Sequence, residues 1–424
     1  MVTEEAVKSR GLVRSLGLGL VTGAADDDPS AIGTYASAGA KLGPAFLWIA
    51  PVLFPMMVTV VYLSSKLGLA SGEGLFAVIR KHYSQTFLWT ILVGVVVGDI
   101  IEAGADLGGM AAALNLLVPI PIHAGVLVLA LIILALQIWG SYQTIRNVFR
   151  ILALALLAYI GSAVLAHPDI LPVLRGTFIP TIWFNKDFLV IVVAVIGTSL
   201  SAYIYTWQSN EEVEEKIAAG KRRIAERKGT SRAELRRSLW DVGVGMLFSN
   251  CVMYFIMLST AATLFKAGHR DISSAAEAAQ ALRPLAGKAA GLLFAFGMFG
   301  VGFLAVPVMT VGASYNLCQS VGWKHGLYRK PGEAKEFYAA IAVFTVLAAG
   351  INFFGMNPMK ALVIAGVVQG ISTPPLLLLV MRMTNNSAIV GKRVNGRAIN
   401  ALGWITTVVT FAAIAGLLFS FLVK

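Results

Sequence analysis

Apolar runs long enough to cross a lipid bilayer follow one another along this chain, separated by short gaps. A hydrocarbon core of about 30 Å takes about 20 residues of helix to span. Eleven segments fit: 11–40, 44–70, 86–117, 119–141, 146–167, 187–217, 240–266, 286–317, 335–354, 358–383 and 401–423. Continuous runs are not the period-two alternation of a spanning β-barrel. The chain is 57% apolar and 13% charged, with a mean hydropathy of +0.76. A soluble domain is about 45–50% apolar and about 25% charged, so the reading is an all-α polytopic membrane protein, 1–424 forming a single transmembrane domain.

Charge placement orients it. With the N-terminus on the cytoplasmic side, 25 of the 34 Lys and Arg residues fall on that side, nine of them between Lys216 and Arg237. Such a bias is the positive-inside signal. It puts the N-terminus in and the C-terminus out, and it assigns the basic 216–237 loop to topology and a short helix rather than to nucleic acid. The first apolar stretch runs into Asp26-Asp27-Asp28 rather than a small-residue cleavage site, so no signal peptide is expected. The inner membrane of a prokaryote is the simplest location. Cys251 and Cys318 lie in apolar segments and read as packing residues, while His82, His123, His167, His269 and His325 fall near helix ends or loops and read as solvated.

Two segments are interrupted. In the first, Asp26-Asp27-Asp28-Pro29-Ser30 separates two short apolar halves. Pro29 lacks an N–H and disfavours helix at the residue before it. Each carboxylate at mid-membrane costs at least about 2.5–3.5 kcal/mol on insertion scales, a cost that points to function. An unwound stretch, its freed carbonyls and a carboxylate facing a cation, is the natural solution. In the sixth segment, Gly197-Thr198-Ser199-Leu200-Ser201 is a candidate break, although its hydroxyls could equally satisfy a neighbouring turn. If 11–167 and 187–383 are repeats, the two breaks correspond and 401–423 is an extra helix. Paired discontinuous helices mark the midplane site of a secondary transporter with inverted repeats.

Further acids lie within the third segment. Asp99, Glu102 and Asp106 share a helical face, as the lining of a pathway, relay or metal vestibule would. Gln369 fits either a helix–helix hydrogen bond or a substrate contact. Tyr203 and Tyr205 suit packing or a gate. If helical, Asp26 and Asp27 cannot share a face with Asp28, since neighbours differ by about 100°. Asp27 would guide a cation or carry a proton. Gly104-Ala105…Gly108-Gly109 suits close helix packing. No nucleophile–base pair, phosphate loop, zinc motif or dinucleotide fingerprint occurs, so neither an enzyme nor an ATP-driven pump is expected, and no cofactor.

Four stretches together resemble the Nramp family of divalent-metal transporters: Asp28-Pro29-Ser30-Ala31, where that family carries Asp-Pro-Gly-Asn; Leu63 to Gly72; Asp106 to Leu117; and Asn357-Pro358 to Val363. The resemblance implies a LeuT-type fold, a 5+5 inverted repeat with discontinuous helices 1 and 6. It also implies a metal held by the Asp and Asn of segment 1 and by a backbone carbonyl and a Met of segment 6. Here Asp28 is retained, but the Asn position is Ala31 and the Met position is Ser201. The family's two segment 6 histidines read as Tyr203 and Gln208, its acid pair in segment 3 as Ala103 and Asp106, and its segment 10 Gln as Gly366, with Gln369 a turn later.

This pattern is most similar to the Nramp-related magnesium transporters. A thioether favours soft transition metals, whereas hard oxygen donors favour Mg²⁺, Ca²⁺ and Mn²⁺. Mg²⁺ sheds water reluctantly and uses one or two carboxylates with extra room. The expected metal site is Asp28, Ser30, Ala31, Thr198 and Ser201, with Asp27, Glu102, Asp106, Tyr203, Gln208 and Gln369 along the pathway. The expected activity is import of Mg²⁺, and also Mn²⁺, as a partly hydrated ion with weak or no proton coupling. The partners are the metal and the bilayer, with no nucleic acid and no obligatory protein. The alternatives are a proton-coupled Mn²⁺/Fe²⁺ symporter, a sodium-coupled carrier of organic solutes, and a channel.

Overall fold

A computed structural model of the chain describes residues 18–139 and 154–422. Residues 1–17, with Lys8, Arg10, Arg14 and the start of segment 1, and the part of segment 5 bearing Arg146 and Arg150 lie outside the described residues. Within them every regular element is a helix. The principal ones are α1 (Leu18–Asp26), α2 (Pro29–Leu42), α3 (Ile49–Ser71), α4 (Leu75–His82), α5 (Gln85–Leu117), α6 (Ile122–Trp139), α7 (Ala158–Leu165) and α8 (Ile170–Phe178). After these come α9 (Lys186–Ser199), α10 (Ala202–Ala218), α11 (Arg232–Thr260), α12 (Ala290–Val321), α13 (Lys335–Ile351), α14 (Pro358–Thr384) and α15 (Arg397–Leu422). Nine helical stretches among the described residues are long and apolar enough to span a membrane. They correspond to segments 2–4 and 6–11. Segment 1 is absent from that set because of its three consecutive acids, and segment 5 because it is only partly described.

Both breaks are present. α1 ends at Asp26 and α2 begins at Pro29, so only two residues are non-helical. Asp28 is the N-cap of α2: its backbone is extended and its side chain accepts from Ala31 N, while Pro29 takes the first helical position, where its missing N–H is harmless. α9 ends at Ser199 and α10 begins at Ala202 after Leu200 and Ser201. Each break therefore leaves carbonyls of one half-helix and N–H groups of the next without helical partners.

Close helix approach brings the breaks together. α1 lies on α11, where a Cβ at Gly245 would overlap the Gly19 carbonyl and one at Gly23 would overlap that of Gly245. α9 lies on α14, where a Cβ at Gly197 would overlap the Gly366 carbonyl. α10 packs on α3, and the long α5 packs on α12, α13 and α14. The small-residue stripe of α5 has the packing role read from sequence: Gly104 and Gly108 meet the C-terminal end of α13 and Asn352, whose Nδ2 donates to Gly104 O at 2.8 Å. The short helix expected in the basic loop is Ile224–Arg227.

Candidate functional site

Six carboxylates converge on the broken segment and the α5 face beside it. Asp26, Asp27, Glu102 and Asp106 have no solvent-exposed surface, and Asp28 and Asp99 have 1%. Among the described residues no Lys, Arg or His forms an ion pair with any of them; the four ion pairs found involve other acids. Ions so placed are costly unless something else compensates them.

Asp28 is held from three directions. Its Oδ1 accepts from Ala31 N (2.6 Å) and Ser30 Oγ (2.8 Å), and its Oδ2 accepts from Tyr203 OH (3.1 Å). A carboxylate oxygen has two lone-pair directions, so Oδ1 is filled and Oδ2 keeps one free. The Tyr203 hydroxyl also lies 2.8 Å from the Ala25 carbonyl, an acceptor freed by the break. Ser30 joins the break to α5: its hydroxyl is 3.1 Å from Glu102 Oε1, and its N–H donates to Asp106 Oδ1 at 2.9 Å. One hydroxyl proton cannot serve Asp28 and Glu102 together. With both ionised, the spot needs a cation; otherwise it needs a second proton. Asp99 Oδ2, Glu102 Oε2 and Asp106 Oδ2 are buried without a protein partner.

The triplet divides at the break, where the chain leaves the helix after Asp26 and Asp28 is extended. Asp26 and Asp27 turn to Ser249 of α11, whose hydroxyl is 2.8 Å and 3.1 Å from their nearer oxygens, while Asp28 turns to Tyr203 of α10. Asp26 Oδ1 and Asp27 Oδ2 have no protein partner.

The other residues singled out from sequence fall in distinct places. Ala31 is fully buried and contributes its N–H. Ser201 Oγ lies 3.5 Å from Glu102 Oε1, but its close contacts are the Gly197 (2.8 Å) and Thr198 (3.2 Å) carbonyls. Thr198 Oγ1 donates within its own helix, with Ala194 O at 3.0 Å and Val195 O at 3.2 Å. Those hydroxyls thus satisfy the turn while keeping lone pairs for a ligand. Gln208 lies between Thr22 of α1 (2.6 Å) and Glu212 (3.1 Å). Gln369 donates to Asp99 Oδ1 at 3.2 Å, an α14–α5 hydrogen bond. Tyr205 OH bonds the Leu200 carbonyl at 2.5 Å, across the second break. Of the histidines, four are exposed, whereas His325 is half-buried against the Trp323 carbonyl (2.8 Å) and burial lowers its pKa.

Sequence reasoning passed over Ser249, Thr22 and Tyr35, whose hydroxyl lies 2.9 Å from that of Ser199 at the second break. A serine in an apolar segment carries little signal. Its value here comes from standing opposite acids more than 200 residues away. Among the described residues no three Asp, Glu, His or Cys side chains are grouped closely enough to hold a metal by themselves.

Two discontinuous helices whose breaks meet beside buried, uncompensated carboxylates define a helical membrane protein of the LeuT-type transporter architecture. The profile of the family described as natural resistance-associated macrophage protein-like, Nramp, matches residues 19–420, and the chain belongs to that family. It is 25% identical over 417 residues to the divalent metal cation transporter MntH of Bacillus subtilis, covering 95% of this chain and 91% of that one. It is 24% identical over 383 residues to MntH of Klebsiella pneumoniae, covering 89% and 87%. Among solved structures it is similar to a manganese transporter of Eremococcus coleocola, with a TM-score of 0.71 at 18% identity, covering 95% of this chain and 86% of that one. A further likeness is to Mhp1, a nucleobase-cation-symport-1 family transporter, with a TM-score of 0.60 at 13% identity, covering 96% and 90%. At these identities the structural likenesses establish the fold.

Proposed function

We propose that this protein carries divalent cations across the membrane, with Mg²⁺ as its main substrate and Mn²⁺ as a second, moving down the electrochemical gradient without obligatory protons. Asp28 binds the ion through the open side of Oδ2. Ser30, Thr198, Ser201 and carbonyls freed at the two breaks contact it or its waters, and Ala31 leaves room for them. Asp27, Glu102, Asp106, Tyr203, Gln208 and Gln369 line the way in and out. The observation that carries this reading is the polar environment of Asp28: every hydrogen-bond partner found for it is an amide or hydroxyl, with neither a thioether nor a cationic side chain among them. Oxygen donors suit hard cations, and a sparse protein set with room for water suits an ion that stays hydrated. The family and its curated divalent-metal relatives support the dication class. We place the chain in the plasma membrane with its N-terminus inside, read 11–167 and 187–383 as the repeats, and assign it no enzymatic activity and no obligatory protein partner.

A second reading, a proton-coupled Mn²⁺/Fe²⁺ symporter, is favoured by one observation. Glu102 and Asp106, both linked to Ser30, are buried acids with unpartnered oxygens and could carry protons. Proteoliposomes offered Mg²⁺, Mn²⁺ or Ca²⁺ with a trapped pH dye separate the two. Saturable Mg²⁺ uptake without acidification is expected. Acidification tracking Mn²⁺, with no Mg²⁺ flux, establishes the second reading instead, and non-saturating flux establishes a channel.

A further inference from the structure

The side that carries most of the Lys and Arg residues also holds a cavity of about 240 Å³ between α3, the start of α11 and the loop joining α14 to α15. For scale, one water in the liquid takes roughly 30 Å³. Four cationic side chains line it: Lys66, Arg232, Lys392 and Arg393. No carboxylate does, and among the described residues none of the four forms an ion pair. A topology signal needs positive charge in loops. It does not need four cations from three parts of the chain to face one cavity.

Lys66 is the unusual member. It belongs to the spanning helix α3, not to a loop, and only 3% of its surface is exposed. An ammonium group has three donors, and among the described residues Nζ has one acceptor, Asn395 Oδ1 at 2.7 Å. Asn395 is in turn tied to Thr384 Oγ1 at 2.9 Å, and Arg393 Nε to the Thr230 carbonyl at 3.1 Å, so the loop is fixed over the lysine with charge to spare. The remaining walls are Tyr62, Leu235, Val394, Gly396 and Ile399. α15, which borders the cavity, is the least buried of the spanning helices.

We propose that this cavity binds the phosphate of an anionic phospholipid from the leaflet on that side. A phosphodiester provides acceptors for the spare donors of Lys66 and for the two arginines, which favour bidentate contact with phosphate. The apolar walls take the glycerol and upper acyl carbons, which a free phosphate would leave unmatched. Basic pockets between membrane helices are the usual receptors for such headgroups. Occupancy would also reach the transport pathway. The neighbours of Lys66, Ser64 and Ser65, bond the Tyr205 carbonyl and Glu212, both on α10. A lipid pinning Lys66 would therefore hold α3 against the half-helix that follows the second break.

The test uses the full chain in non-ionic detergent, titrated with phosphatidylglycerol, phosphatidylcholine or inorganic phosphate. It reads thermal unfolding and lipid retention by native mass spectrometry. Phosphatidylglycerol is expected to raise the unfolding temperature saturably and to be retained, while phosphatidylcholine and phosphate are not. The loop variant K392Q/R393Q, which leaves the helices intact, should weaken phosphatidylglycerol half-saturation by about tenfold or more. K324Q/K330Q, which removes the same charge from another loop on that side, should not. K66Q, if it folds, should abolish retention. Equal stabilisation by phosphate overturns the lipid assignment. An equal loss in K324Q/K330Q, or an unaltered response in K392Q/R393Q, overturns the pocket.

Discussion

The two oxygens of Asp28 do different work. Oδ1 caps α2 through Ala31 N and takes the Ser30 hydroxyl, whereas Oδ2 meets only Tyr203. An amide at this position keeps the cap, because Asn is as good an N-cap as Asp, and removes the charge. Asp28→Asn should therefore leave thermal unfolding within a few degrees of wild type and lower dication uptake by at least about tenfold, a loss of about 1.4 kcal/mol or more. Uptake at wild-type rates would remove Asp28 from the site. The proposed site would have its selectivity decided beside Asp28, at Ala31 and Ser201. Both are fully buried, and Ser201 stands within 3.5 Å of Glu102. Ala31→Asn with Ser201→Met restores an amide oxygen and a thioether, so Mn²⁺ should gain on Mg²⁺ in competition uptake. An unchanged ratio would show that these two side chains do not set the preference.

Helix packing fixes where those side chains stand. α1 contains Gly19 and Gly23, one turn apart; a Cβ at Gly19 would overlap the Asp241 carbonyl of α11, one at Gly23 that of Gly245, and one at Gly245 that of Gly19. This is the small-residue contact by which membrane helices approach closely. It presents Ser249, one turn beyond Gly245, to Asp26 and Asp27. Gly245→Val should force α1 off α11 and destabilise the fold by about 1–3 kcal/mol, the usual cost of overpacking. A fall in unfolding temperature, measured in detergent, would register it. Gly243→Val is the matched control: it lies on the same helix with nothing within 4 Å of its Cβ position and should change little. Equal effects from both would mean that helix propensity, rather than the α1 contact, is at work.

At the scale of the whole molecule, the proposed uniport would draw its driving force from the ion's double charge. A dication crossing the full potential gains about 4.6 kcal/mol per 100 mV, twice the single-charge value. That equals about three decades of equilibrium accumulation per 100 mV. A uniporter should reach this ratio in vesicles clamped at an inside-negative potential, with no dependence on a pH gradient. If the final ratio followed the pH gradient instead, Glu102 and Asp106 would be the first places to seek the proton, since both connect through Ser30 to Asp28.

The spans and the two breaks were legible because they depend on local composition. Hydrophobic length determines a crossing, and Pro29 with three consecutive acids interrupts a helix. That Asp28 stands apart from Asp26 and Asp27 agrees with the reading, but the break rather than helical rotation separates them, since Asp27 and Asp28 are not helical. Tertiary structure decided which groups meet. Ser249 serves two acids, Gln369 answers Asp99, the Ser201 hydroxyl folds back on its own turn, and Lys66 joins cations more than 300 residues away. Those outcomes depend on how each helix is rotated and how closely it packs on partners distant in the chain. Sequence periodicity says which residues share a face, but it does not say what stands opposite.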